Sequence, residues 1–282
     1  MGSTVLQYNR LCSQETGMGN LSAQYPRRVG KPQLLTGATM IFTILWVIFF
    51  MLFMLLCFFP WVVLMMIKPF TPKRKYYKIV IWFGSWWGRV VFRTTGSKVT
   101  ITGKENLPSG GAICIIANHQ SIFDVPVLMG FVGMSMGFIA KKELFKFPVL
   151  SYWMKELHCI FIDRQSARSA VQSFAKGAET IKSGYPIAIF PEGTRAQSDN
   201  IAKFQVGSIK LATMAGATIV PIVVSGTWHI YEENKRIKPT HIQIRILPVV
   251  GPEDEVYSEK QLLMDTIRDR IVSAQREILQ QS

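Results

Sequence analysis

Hydrophobic residues are spread along this chain in two unlike ways. From Leu34 to Ile67 runs a block of 34 residues without a charged side chain. As one straight helix it would reach about 51 Å, well beyond a ~30 Å hydrocarbon core. Two geometries fit such a block. One is a strongly tilted single span; the other, which we expect, is a helical hairpin or broken re-entrant segment bending near Pro60, where the ring interrupts a helix interior. A signal peptide would have a shorter apolar core and a small-residue cleavage site. The following "YYKIVIWFGSWWGRVVF" is crowded with aromatics. It reads either as an interfacial segment seating Trp82, Trp86 and Trp87 at headgroup level or as a core helix of the body.

After Gly96 the texture changes to short alternating elements. "KVTIT", "GAICIIAN", "GFIAK", "CIFID", "PIAIF", "TIVPIVV" and "IQIRILPVV" read as strands. Several are apolar throughout, as strands buried on both faces are. Ser121 to Met129 reads as a helix start. From Ser166 to Lys182, the residues Ala167, Ala170, Val171, Phe174, Ala178 and Ile181 make one apolar helical face, closed by Gly184 and Pro186. The last helix opens on Ser258 and Gln261, a capping-box pair, and carries the stripe Leu263, Ile267, Ile271, Ala274 and Ile278. Alternating strands and helices predict an α/β fold: a mostly parallel mixed sheet flanked by helices, preceded by an N-terminal hydrophobic membrane-anchoring helical segment. The expected divisions are a mobile N-terminal segment at 1–33, a membrane-anchoring helical region at 34–95 and an α/β domain at 96–282.

Charge refines this picture. The formal net charge is +14, which by itself would suit nucleic acid. Its distribution points elsewhere: residues 1–104 hold 13 Lys and Arg against the single acid Glu15, whereas residues 105–282 hold 19 against 17 Asp and Glu. The excess flanks the apolar block, as Arg27, Arg28 and Lys31 before it and Lys68, Lys73, Arg74, Lys75 and Lys78 after it. Basic residues on both sides favour a membrane protein with both flanks, and the body, on the cytoplasmic face. No zinc-finger, RRM or basic-zipper pattern supports a nucleic-acid partner. Cys12, Cys57, Cys114 and Cys159 are scattered, which suits a reducing compartment rather than a disulfide framework. His158, His229 and His241 lack metal-ligand spacing.

The candidate chemistry begins at "IIANHQSIFDVP". His119 falls in the turn after a strand. With Ser121 as N-cap, Asp124 would occupy the first helical turn and could reach back to one imidazole nitrogen, leaving the other for a substrate hydroxyl. A plain helix cap beside a turn histidine gives the same short pattern. A second strand-to-loop junction, "IAIFPEGTR", supplies what the pair lacks. Gly193 permits close backbone approach, Thr194 offers a hydroxyl, and Arg195 offers a fork for phosphate. Glu192 would orient Arg195 or hold a substrate hydroxyl. In "IFIDR", Arg164 is a phosphate contact or a structural partner of Asp163. In "FIAKKEL", Lys141 or Lys142 stands at a strand end.

Taken in order, "NHQSIFD", "IFIDR", "FPEGTR" and "IVPIVV" resemble the four blocks of the glycerolipid acyltransferase family, specifically the 1-acyl-sn-glycerol-3-phosphate acyltransferases, over roughly residues 80–250. "AKKEL" resembles the family's basic segment between the first two blocks, and members carry an apolar anchor before them. The resemblance implies that His119 is the general base, that Asp124 orients it, and that Arg164, Thr194, Arg195 and Lys141 hold the phosphate or position the acceptor, with Glu192 and Gly193 shaping the loop. It implies transfer from an acyl thioester, acyl-CoA or acyl carrier protein, to the sn-2 hydroxyl of lysophosphatidic acid, with no acyl-enzyme, no metal and no cofactor. Membrane lipids are the other expected partner. A glycerol 3-phosphate or other lysophospholipid acyltransferase, or a non-catalytic lipid-binding protein, would keep the same blocks. A serine hydrolase is disfavoured by the missing G-x-S-x-G elbow, and a nucleotide hydrolase by the missing P-loop.

Overall fold

The computed structural model describes residues 37–163 and 167–281, so the expectations for residues 1–33 and for Arg164 lie outside the described residues. The apolar block forms helix α1 (Gly37–Leu56) and helix α2 (Phe58–Ile67). The break falls at Cys57 rather than at Pro60 itself. Pro60 has no N–H to offer the carbonyl four residues earlier, so the ladder fails one turn upstream of the ring. Cys57 nevertheless keeps right-handed helical angles, φ −65° and ψ −11°. Its N–H bonds Phe53 and its carbonyl accepts from Trp61. The segment from Gly37 to Phe70 is long and apolar enough to cross a membrane, by length and composition, and little of it is buried against the rest of the protein.

Helix α3 (Lys73–Arg93) takes up the aromatic-rich stretch. The core-helix reading holds for one face of it, and Trp87 packs on the core rather than pointing outward. Tyr76, Val80, Phe83, Gly84, Gly88, Val91 and Phe92 are buried, while Trp82 is 63% exposed. The boundary expected at residue 95 falls inside a single compact unit, Thr39–Ser282, because α3 packs directly on helix α4 (Asp124–Phe131). Glycines set that approach. A Cβ on Gly88 would lie 2.5 Å from the Pro126 carbonyl oxygen and 2.9 Å from the Gly130 nitrogen.

The body alternates as the sequence pattern predicts: β1 (Lys98–Thr102), β2 (Ile113–Ala117), α4, β3 (Gly137–Lys141), helix α5 (Pro148–Glu156), β4 (Ile160–Ile162), helix α6 (Ala167–Lys182), β5 (Ile187–Ile189), helix α7 (Val206–Ala215), β6 (Thr218–Ser225), β7 (His241–Ile246) and helix α8 (Lys260–Gln281). The strands form one sheet in the order β1-β7-β6-β2-β5-β3-β4. Every pairing is parallel except β6 with β7. Strand side chains alternate between faces. Ile113, Ile115 and Ala117 of β2 therefore join the layer holding α3 and α4, and Cys114 and Ile116 join the layer holding α6, α7 and α8.

One expected cap differs, and two short helices carry no sequence signal. Ser258 does not cap α8; its hydroxyl bonds the Glu255 carbonyl within a 3-10 turn. Helices α5 and α7 were not marked by periodicity, being only 9 and 10 residues long. Gly88→Ala is expected to destabilise the protein by about 1–3 kcal/mol through forced separation of α3 from α4, measured as a shift in denaturant midpoint at constant slope.

Candidate active site

The site is assembled at the carboxyl ends of β2 and β5, two neighbouring parallel strands, where open α/β sheets place their ligands. β2 ends at Ala117, and Asn118 then fixes the exit by exchanging two 2.8 Å hydrogen bonds with the backbone of Val224 on β6. His119 follows. Its Nδ1 lies 2.7 Å from Asp124 Oδ2. Asp124 is the first residue of α4, with Phe123 rather than Ser121 at the N-cap. From there its carboxylate turns back over the loop. Oδ2 also accepts the N–H groups of Gln120 at 2.7 Å and Ser121 at 2.9 Å. Oδ1 accepts the Thr227 hydroxyl.

Asp124 is completely buried. A buried carboxylate is tolerable only when donors surround it, and here the donors are the turn that carries the histidine. The His119 ring stacks on Phe190 at 4.0 Å between centroids with 14° between planes. The ring is thus held by two different neighbours, Asp124 through Nδ1 and Phe190 through its face. Nε2 has no hydrogen-bond partner among the described residues, and His119 lines a cavity of about 1440 Å³.

β5 delivers the second loop. Gly193 turns it with a left-handed φ of 74°, a conformation that disfavours side chains. Glu192 does not orient Arg195. Its Oε1 accepts the His119 N–H at 2.6 Å and its Oε2 the Ala202 N–H at 2.9 Å. Burial pushes its carboxyl above the usual carboxylate range, offset in part by those two N–H groups. The loops are further joined by backbone bonds from Ala196 N to His119 O at 2.8 Å and from Gln197 N to Gln120 O at 3.2 Å. Arg195 pairs instead with Glu232, at 3.3 Å.

The cavity brings together residues that are distant in sequence. Lys141, Glu192, Gly193, Thr194 and Arg195 line it beside His119. Lys142 is engaged elsewhere, with Asp163 at 2.6 Å, so of the two lysines it is Lys141 that faces this space. Asp163 therefore has a partner independent of Arg164. Met54, Phe83, Trp87, Met129, Trp153 and Leu157 supply an apolar wall from the anchor and α3 to α5. Among the described residues no group of three His, Cys, Asp or Glu side chains converges as metal ligands do.

Residues 98–225 match the acyltransferase family model. A chloroplastic 1-acyl-sn-glycerol-3-phosphate acyltransferase of Brassica napus is 32% identical over 181 residues, a match covering 63% of this chain and 51% of that one. The match thus spans about half the length of that relative. The 1-acyl-sn-glycerol-3-phosphate acyltransferase of Pseudomonas aeruginosa is 32% identical over 194 residues, covering 67% of this chain and 74% of the relative. This chain belongs to that acyltransferase family. The crystal structure of the 1-acyl-sn-glycerophosphate (LPA) acyltransferase from Thermotoga maritima agrees in fold, with a TM-score of 0.76 at 26% identity over 86% of this chain and 96% of that one.

As a family member, the protein brings the blocks NHQSIFD and FPEGTR together around one imidazole. Three contributors escaped the sequence reading: Asn118, Thr227 and Glu232. Asn118 stands beside His119 and could have been suspected, since a buried amide at a strand end needs a partner. Thr227 and Glu232 lie about a hundred residues downstream in ordinary polar sequence that carries no signal. Glu192→Ala is expected to lower stability by about 2–4 kcal/mol, because two inward-facing N–H groups lose their acceptor. Chemical unfolding of the purified protein measures it.

Proposed function

We propose that this protein transfers a fatty acyl group from an acyl thioester to the sn-2 hydroxyl of 1-acyl-sn-glycerol 3-phosphate, giving phosphatidic acid. The observation that carries the reading is the 2.7 Å contact between His119 Nδ1 and the buried Asp124, with Nε2 left for the acceptor. A hydroxyl is a weak nucleophile at neutral pH, whereas a thioester is activated. One positioned base contributing about 10²–10⁴-fold is therefore enough for direct transfer. As the hydroxyl oxygen bonds the thioester carbon, its proton passes to Nε2. Asp124 stabilises the resulting imidazolium without taking the proton. Collapse of the tetrahedral intermediate breaks the carbon–sulfur bond, and the imidazolium returns the proton to the departing thiolate.

Phosphate held by Arg195, Lys141 and Thr194, with Arg164 as a further candidate, would place the acceptor hydroxyl against the base, turning an encounter into an oriented step. No acyl-enzyme is needed. Ser121 Oγ donates to Glu232 and accepts from Phe123 N–H, so it is committed to the turn. Burial pushes the Cys114 and Cys159 thiols up to about 12, which suppresses the thiolate. Acyl-CoA and acyl carrier protein both present the required thioester. The apolar wall gives an acyl chain a continuous path toward the α1–α2 anchor. That anchor, with basic residues on both flanks, would seat the body on the cytoplasmic leaflet.

The test is an assay of the purified protein with lysophosphatidic acid and each donor type. Wild type should form phosphatidic acid. His119→Ala should lower kcat by about 10³-fold with the fold intact, and Arg195→Ala should act mainly by raising the KM for the acceptor, about 10-fold or more. A wild-type protein inactive with every lysophospholipid, or a His119→Ala protein with unchanged turnover, would overturn the reading.

A further inference from the structure

Glu232 belongs to none of the sequence blocks and lies in the segment that follows β6, yet its side chain is 2% exposed. Buried carboxylates are costly unless donors surround them, and the identity of these donors is informative. Oε2 accepts the Ser121 hydroxyl at 2.7 Å. Oε1 accepts the Ile122 N–H at 2.9 Å and the Arg195 Nη1 at 3.3 Å. One oxygen thus ties the turn between His119 and Asp124 to the arginine on the rim of the cavity. Arg195 is 39% exposed in its side chain, and among the described residues one terminal nitrogen is engaged. The rest of its fork remains for an anion.

We infer that Glu232 is a positioning residue for the acceptor's phosphate: it holds the guanidinium of Arg195 in the orientation that receives the phosphate, and so sets how tightly the acceptor binds. The inference rests on the reading of Arg195 as the phosphate contact. A carboxylate needed only to close the turn would be satisfied by Ser121 and Ile122. The bond across to an exposed arginine adds nothing to the turn, but it removes rotamer freedom from a side chain that would otherwise be ordered only when substrate binds. The same segment also supplies Thr227 to Asp124. The downstream chain therefore steadies base and phosphate grip together.

Glu232→Gln keeps the shape and an acceptor oxygen for Ile122 but removes the charge that holds Arg195. Its expected effect is a rise of about tenfold in KM for lysophosphatidic acid, with kcat and the KM for the acyl donor within about twofold of wild type. Glu232→Asp keeps the charge and should fall between wild type and Glu232→Gln in acceptor KM. A role confined to the turn would reverse that order, since Gln mimics the hydrogen bonds better than Asp. In an Arg195→Ala background, Glu232→Gln should add no further loss. The inference is overturned if acceptor KM is unchanged, if both substrates' KM values or kcat move alike, if Asp is worse than Gln, or if the Glu232 and Arg195 effects add. If either variant is too unstable to assay, the other against wild type still decides the KM split. A wild type without lysophosphatidic acid acyltransferase activity would instead remove the functional reading beneath it.

Discussion

The arrangement depends on one carboxylate that has nowhere else to go. Asp124 is shut from water at the first residue of α4, where the helix end favours negative charge. It is satisfied by the imidazole of His119, two N–H groups of the intervening turn and the Thr227 hydroxyl. Moving the histidine would strip a buried charge of a donor, so a desolvation penalty holds the ring's orientation together with its stack on Phe190. The strand, the turn and the helix are the means of bringing that carboxylate back over His119.

Two further buried acids repeat the device at longer range. Glu192 spans the loop after β5 and the turn after β2, and Glu232 spans that turn and Arg195. Because β2 and β5 are adjacent parallel strands, both loops leave the sheet at the same edge, and short side chains can bridge them. Layer assignment follows from the same strands. The side of β2 that faces α3 and α4 leads into the apolar wall of the cavity, so the chemistry lies between a polar loop cluster and a hydrocarbon-like surface. That surface continues toward helices whose large apolar side chains, such as Leu55, Phe59 and Phe70, are exposed among the described residues. The fold thus puts a polar reaction centre within reach of a lipid-compatible wall.

What could be read from the sequence was local or periodic. The strands were legible because each is a short apolar run bounded by turn residues, and α6 because its apolar face recurs at helical spacing. His119 and Asp124 were legible because a strand exit and a helix start place them within one turn. Glu232 and Thr227 were not, since their meaning comes only from the antiparallel β6–β7 connection folding back over the site. Glu192 was expected to orient Arg195 or to hold a substrate hydroxyl, but the N–H groups of His119 and Ala202 take its carboxylate instead. The break at Cys57 rather than Pro60 has a similar origin, because a proline disrupts the turn before it. Ser258 failed as a cap because a 3-10 turn claimed its hydroxyl first.

The most direct test of the account is the proton position on His119. Nitrogen-15 NMR of histidine-labelled protein in lipid nanodiscs would assign the His119 signals by their loss in His119→Ala. The account requires the neutral ring to carry its proton on Nδ1, donated to Asp124, with Nε2 bare toward the cavity. Asp124→Asn should disturb that preference. A neutral ring protonated on Nε2 in the wild-type protein would leave no base facing the substrate and would contradict the central claim.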